Sequence, residues 1–246
     1  MPKFLVNVGW DDVPHLADDE KKALANAYPP HERDARMKGI PALGSGAIYP
    51  VPEDVYLVEP RPLPNWWPRA YGLDVGWNKT AAIFGAWDRD ADVLYLIDEH
   101  YQSYGEPSVH AAAIRRRAGD WMPGVIDPAS MGSNQRDGRS LFAEYQELGL
   151  HLTTAQNAVE AGIFKVWEML SQGRLKVFST LANTRAEMRI YRRDDRGRVV
   201  KERDHLMDAM RYLVMSGPAV AEYMPEFIEE GDREMATYSR DSVTGY

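Results

Sequence analysis

The sequence of 246 residues contains no cysteine. Its absence excludes a disulfide framework, a thiolate zinc site, an iron–sulfur cluster and a cysteine nucleophile. Carboxylate, imidazole and water remain as ligands for any metal ion. The chain also lacks an apolar run of 18 residues, and its N-terminus has no apolar signal-peptide core. We therefore expect no membrane span, no membrane partner and no export signal.

Basic residues are outnumbered: 29 Lys and Arg stand against 37 Asp and Glu, giving a net charge of -8. An acidic chain should on average be repelled by nucleic acid, because Lys and Arg contacts to phosphate supply much of the affinity. The excess is uneven, however, since residues 1–60 and 217–246 together carry -9 and residues 61–216 carry +1. The central segment is therefore not excluded from binding nucleic acid.

Composition divides the chain into three parts. Residues 1–68 are rich in proline and leave room for one short helix, at residues 18–27, so they are expected to form an irregular arm. Residues 69–216 have the patterning of a compact α/β domain. Residues 217–246 are polar and acidic, which is typical of a flexible tail.

Alternating apolar residues and turn signals in residues 69–216 predict a mixed sheet flanked by helices. Three antiparallel strands come first, followed by helix, strand, helix and strand. The first predicted strand begins at residue 69, and the other five cover residues 80–87, 93–101, 124–127, 150–153 and 175–178. The predicted helices cover 108–118, 140–148, 159–172 and 204–216, and a hairpin is expected at 190–200 around Gly197.

Carboxylates end two of these strands: Asp74 ends the first, and Asp127 ends the fourth. In an RNase H-like sheet the two strands are adjacent, about 4.8 Å apart, so both side chains could share one cation cluster. Glycines beside Asp74 would leave space for a metal ion and a phosphate backbone. The last helix adds Asp208, with Asp204 and His205 on the same face at helical spacing.

Oxygen ligands of this kind suit Mg²⁺ or Mn²⁺, and two such ions can activate water and stabilise the leaving oxygen in phosphodiester cleavage. Each residue also has an ordinary structural interpretation. A strand-end aspartate is usually a turn or capping residue, Asp204 has the position of an N-cap, and Asp208 could favour the helix dipole. The joint arrangement is what favours a metal-dependent hydrolase.

At these residues the sequence resembles the nuclease domain of tailed-phage terminase large subunits, the DNA-packaging enzymes. Residues 72–77, 125–130, 191–201 and 204–212 carry the resemblance. It implies an RNase H-like fold and a two-metal endonuclease that cleaves concatemeric double-stranded viral DNA during genome packaging. It also implies that Asp74, Asp127 and Asp208 are the catalytic metal ligands and that His205 acts near the metals. Asp204 and Glu99 are further candidate ligands.

The arm agrees with this resemblance, because residues 9–16 and 28–33 are similar to the segment that joins the ATPase of the family to its nuclease. No GxxxxGK[ST] phosphate loop occurs in the chain, so the ATPase is missing. We expect a nuclease fragment of a longer terminase, a standalone relative being the alternative. The resemblance further implies the phage portal and the small terminase subunit as partners, and the host cytoplasm as location.

Basic residues concentrate in the predicted hairpin just before the last helix. Such a hairpin could follow DNA phosphates without reading bases. The predicted DNA contacts are Arg192, Arg193, Arg196, Arg198 and Lys201.

Two other functions stay open at this point. Residues 72–80 also resemble the first phosphate loop of actin-like ATPases and sugar kinases, although those proteins need a second related domain. A non-catalytic packaging or docking module is the other alternative.

Overall fold

The computed structural model describes residue 10 and residues 17–27, 46–76, 78–132, 139–194 and 196–225. Helix α1, Asp18–Ala27, has the predicted bounds. The connector-like segments 9–16, apart from Trp10, and 28–33 lie outside the described residues, as does the tail from residue 226. Within the described part of the chain, no helix is long and apolar enough to cross a membrane.

The core of the domain is one seven-stranded mixed sheet in the order β1-β7-β4-β3-β2-β5-β6. Strands β2, β3 and β4 are antiparallel neighbours, and β5 lies parallel beside β2. The predicted α/β architecture is therefore confirmed. The strands are β1 Leu57–Val58, β2 Arg69–Asp74, β3 Thr80–Asp88, β4 Val93–Gln102, β5 Gly124–Ile126, β6 Leu152–Thr154 and β7 Leu175–Phe178.

Helices cover both faces of the sheet, so the central strands β2 and β3 contribute buried residues to two apolar layers. One layer joins residues such as Ile83 and Leu96 to the late helices, and the other joins Tyr71 and Phe84 to the middle helices. The remaining helices are α2 Glu53–Tyr56, α3 Pro107–Ala118, α4 Leu141–Glu147, α5 Val159–Ser171, α6 Ala182–Ile190 and α7 His205–Val220.

Helix α7 lies directly on the centre of the sheet. At Gly72 of β2, an added Cβ would lie 2.0 Å from the carbonyl oxygen of Ala209 in α7. Glycine is thus required here because the helix backbone occupies the space of a side chain. This close approach brings the first turn of α7 to the end of β2.

The folded domain begins earlier than residue 69. Strand β1 pairs in parallel with β7, and Ile48, Tyr49 and Tyr56 are buried in the main core. The second half of the predicted arm is therefore part of the sheet and its apolar layer. Its prolines interrupt periodicity without preventing single apolar side chains from packing.

The last helix also continues beyond its predicted end at residue 216. Gly217 and Pro218 are stop signals in a sequence, yet α7 runs to Val220. A Cβ at residue 217 would lie 2.8 Å from the Trp87 ring, so the glycine permits close helix–strand packing. That packing outweighs the intrahelical hydrogen bond that proline lacks.

Candidate carboxylate site at the sheet edge

Asp74 is the last residue of β2, and alternation directs its side chain away from Leu73 and toward α7. Its Oδ2 lies 2.9 Å from Nδ1 of His205, the first residue of α7. The Asp74 side chain is only 13% exposed. The structure thus brings together two predicted site residues that are far apart in sequence.

Asp127 directly follows β5, the parallel neighbour of β2, as expected. Its backbone N–H donates to the carbonyl of Leu73, at 3.2 Å, and so holds it beside the end of β2. Its Oδ1 accepts a hydrogen bond from the backbone of Ala129, at 3.0 Å, capping the short 3₁₀ turn Pro128–Met131. Asp127 is therefore both a cap and a carboxylate at the same sheet edge as Asp74.

Asp208 lies in the first turn of α7 and has a different cation on each oxygen. Oδ1 accepts a hydrogen bond from Arg211, at 2.9 Å, and Oδ2 accepts one from Lys201, also at 2.9 Å. Its backbone N–H donates to the carbonyl of Asp204. This helical turn sets Asp204, His205 and Asp208 on the site.

The carboxylates influence one another electrostatically. Burial raises the pKa of Asp74, the hydrogen bond from His205 opposes that rise, and the negative charges of Asp208 and Asp127 add to it. The hydrogen bond to Asp74 in turn raises the pKa of His205. Partial burial alone would lower the pKa of Lys201, but its contacts with Asp208 and Asp204 raise it. A cation is therefore favoured among these groups.

Asp204 occupies the N-cap position of α7, but its side chain makes no capping hydrogen bond. The cap is supplied instead by buried Glu187, whose Oε2 accepts from the backbone of Leu206, at 2.7 Å. Oδ2 of Asp204 is buried without a hydrogen bond and lies 3.0 Å from the Lys201 ammonium in an ion pair. Asp204 thus already pairs with a cation, and it remains a candidate metal ligand if Lys201 is displaced.

These donors fit Mg²⁺ or Mn²⁺ in chemistry, because they are hard carboxylate oxygens at an edge where like charges gather. In the described part of the chain, however, no three acidic or histidine side chains are already close enough together to hold a metal ion. Basic side chains contact the carboxylates instead: His205 contacts Asp74, and Lys201 contacts Asp208 and Asp204.

Glu99, on β4, is occupied elsewhere. Its two oxygens accept four hydrogen bonds, all from Asn183 and Thr184 in the first turn of α6. The carboxylate thus caps that helix, where its charge also suits the helix dipole. We therefore withdraw Glu99 as a candidate metal ligand.

The predicted hairpin is present, with Arg193 bridged to Val199 and Gly197 in the left-handed region at φ 76°. The basic side chains of the hairpin differ in their exposure and in their ion pairs. Arg193 forms a two-pronged ion pair with Glu160, at 3.0 and 2.6 Å, and its side chain is only 17% exposed. Arg193 is therefore engaged within the domain, and Lys201, although 59% exposed, is already paired with Asp204 and Asp208.

The other three arginines of the hairpin face solvent. Arg198 pairs with Asp194 but is 69% exposed. Arg192 and Arg196 are exposed, and neither has an ion-pair partner among the residues that the structure describes. The surface available to phosphate thus consists of Arg192, Arg196 and Arg198.

Sequence reasoning missed two residues of α7 that support the site, Arg211 and Tyr212. Tyr212 is buried; its pKa is raised by that burial and then by the negative charges of Asp127, Asp208 and Asp74. The available signal was helical spacing, since residues 211 and 212 follow Asp208 by three and four positions.

A family model described as the terminase RNaseH-like domain matches residues 71–216. The chain belongs to this terminase family. The match includes Asp74, Asp127, Asp204, His205 and Asp208, and it favours the terminase resemblance over the actin-like and sugar-kinase alternative.

Terminases of known sequence and structure are similar to the chain. The terminase large subunit of Salmonella phage P22 is 32% identical over 219 residues, covering 86% of this chain but 44% of that protein. The structure of the P22 large terminase nuclease domain is 30% identical, with a TM-score of 0.68, covering 75% of this chain and 98% of that domain. The large terminase nuclease of thermophilic phage G20c, solved with bound magnesium, shares the fold with a TM-score of 0.52. It is 16% identical, and the match covers 70% of this chain and 98% of that one. This terminase chain thus spans less than half of its curated P22 relative.

Proposed function

We propose that residues 46–225 form a divalent-metal-dependent endonuclease that cleaves double-stranded DNA. The observation that carries the proposal is the convergence of Asp74, Asp127 and Asp208, from two adjacent strands and one helix, in a domain of the terminase family. Their mutual repulsion favours a bound cation, which a phosphodiester hydrolase of this type requires.

Asp74, Asp127 and Asp208, with Asp204 as a further ligand, would hold two Mg²⁺ or Mn²⁺ ions. When bound, the ions would supply the Lewis acidity that activates water and stabilises the leaving oxygen. His205 orients Asp74 through Nδ1, which leaves Nε2 to exchange a proton at the site. Lys201 is 59% exposed and able to leave Oδ2 of Asp208, which frees that oxygen for a metal ion.

The DNA contacts in this proposal are to phosphates. Arg192, Arg196 and Arg198 project from the hairpin that leads into α7, so a bound backbone would lie beside the carboxylates. Contacts of this kind position DNA without specifying sequence. Arg193 supports them by fixing the hairpin to Glu160 on α5.

In its biological setting, the domain would cut concatemeric viral DNA during genome packaging in the host cytoplasm. The similarity to the P22 terminase large subunit supports this role. The phage portal and the small terminase subunit are the partners that such a role entails. ATP-driven translocation would belong to a part of the relative that this chain does not match.

Plasmid cleavage tests the proposal. Asp74→Asn and Asp127→Asn keep side-chain size but remove a ligand charge, so cleavage with Mn²⁺ or Mg²⁺ should fall on the order of a thousandfold, and EDTA should abolish it. Asp90→Asn, in the exposed turn between β3 and β4, is the matched control and should cut like the wild type. Undiminished cutting by both site variants would refute the metal site. DNA binding by a metal-loaded wild type that never cuts would instead support a docking module.

A further inference from the structure

Arg211 is a buried cation whose contacts join two helices. Its side chain is 1% exposed, and a buried guanidinium is costly unless its donors are paired; here Nε has no hydrogen bond to a described residue, and the two terminal nitrogens have one each. One terminal nitrogen donates to Oδ1 of Asp208, at 2.9 Å, and the other donates to Oδ1 of Asn157, at 3.0 Å. The guanidinium carbon also lies 4.6 Å from the centre of the Tyr212 ring. Arg211 therefore has a defined orientation.

The packing around the start of α5 leaves space for the Arg211 side chain. Asn157 stands just before α5, and Gly162 within α5 faces the stem of Arg211. A Cβ at residue 162 would lie 2.4 Å from Cγ of Arg211, so any larger residue would displace the arginine. Asn157 thus binds the guanidinium group of Arg211 from just before α5, and Gly162 of α5 leaves room for its aliphatic part.

The two oxygens of Asp208 are held by very different cations. Oδ1 accepts a hydrogen bond from Arg211, whose side chain is 1% exposed, while Oδ2 accepts one from Lys201, which is 59% exposed. Lys201 can be displaced without opening the core, and Arg211 cannot. An incoming metal ion would consequently meet Oδ2 of a carboxylate already fixed through Oδ1.

We propose that Arg211 is a positioning residue that fixes the Asp208 carboxylate for metal binding, and that Asn157 fixes Arg211. This inference rests on the proposed metal-dependent function. A guanidinium can bond two acceptors on different elements at once, whereas the point charge of lysine cannot reproduce the fork. Charge alone is therefore insufficient at residue 211.

Arg211→Lys and Asn157→Ala test the proposal, with Mn²⁺ affinity measured by calorimetry on the DNA-free protein. Loss of a group that orients a metal ligand typically costs 10–100-fold in metal affinity, so Arg211→Lys should weaken Mn²⁺ binding at least about tenfold. Asn157→Ala should weaken it less. Arg89→Lys, in the turn between β3 and β4 where Arg89 contacts Tyr223, is the matched control and should bind Mn²⁺ like the wild type.

A double-mutant cycle separates positioning from general structural damage. In an Asp208→Asn background, Arg211→Lys should have little further effect on Mn²⁺ affinity; a full additional loss would overturn the proposal. Unchanged affinity in a folded Arg211→Lys variant would also overturn it, even if the wild type cuts DNA. Weakened Mn²⁺ binding together with an inactive wild type would uphold positioning and reject the nuclease. If Arg211→Lys does not fold, wild-type affinity in Asn157→Ala overturns the proposal.

Discussion

Replacing Gly72 with alanine would separate α7 from the sheet at the point where the carboxylates meet. The added Cβ would lie 2.0 Å from the Ala209 carbonyl oxygen, whereas real Cβ atoms essentially never approach within 3.0 Å. Because the opposing atom is helix backbone, no side-chain rotation can relieve the contact. Helix α7 must therefore retreat by about 1 Å.

Such a retreat should affect stability and activity differently. Overpacking in a core typically costs about 1–3 kcal/mol, which should lower the melting temperature by several degrees. Asp208 directly precedes Ala209, so its carboxylate would move with the helix, and a displacement of about 1 Å at a catalytic group can cost about 100-fold in rate. Cleavage should thus fall far more than the folded fraction does.

The assay is Mn²⁺-dependent plasmid cleavage at a temperature where the variant is fully folded by circular dichroism. Gly76→Ala is the matched control two residues after Asp74, because its Cβ would lie 3.1 Å from its nearest neighbour, the Lys79 carbonyl. It should cost much less in both measurements. Wild-type melting and cleavage in Gly72→Ala would refute the argument that α7 and β2 set the site geometry.

Two further predictions concern pH and DNA. Burial, followed by the charge of His110, lowers the pKa of His100 to about 4, while an unfolded histidine titrates near 6.5. The unfolded chain therefore takes up this proton first as pH falls, so the contribution of His100 to the free energy of unfolding should drop by about 2 kcal/mol from pH 7 to 5. His100→Gln should remove that contribution from the pH dependence measured in denaturant titrations, and an unchanged pH dependence would exclude His100 as its source. The double variant Arg192→Ala with Arg196→Ala should bind DNA more weakly than the wild type. The slope of log affinity against log salt concentration should become shallower by the equivalent of up to about two phosphate contacts, and a slope equal to that of the wild type would rule out that surface.

Much of the fold could be predicted because its strands and apolar helices carry clear periodicity. Two regions could not. Residues 46–58 bury isolated apolar side chains between prolines, so they show no regular pattern before the sheet is assembled. Helix α6 shows no apolar stripe in the sequence, because the residues that it buries are Thr184, Glu187 and Met188.

The site shows the same division between local and tertiary information. Strand ends and helical spacing indicate Asp74, Asp127, His205 and Asp208, which the structure brings to one edge. The glycine before Asp74 was expected to admit a metal and phosphate, yet Gly72 admits the backbone of α7. Arg193 pairs with Glu160, which is 33 residues away in sequence. An ion pair of this kind depends on tertiary packing, so the sequence spacing of charged residues does not predict it.

Anomalous scattering from a crystal soaked in Mn²⁺ would locate the metal site without reference to activity. We expect manganese bound by Asp74, Asp127 and Asp208, with the Lys201 ammonium displaced from Oδ2 of Asp208. Both Asp74→Asn and Asp127→Asn should lose this signal. A soaked wild-type crystal with manganese elsewhere, and Lys201 still bound to Asp208, would show that these three carboxylates are not the metal site.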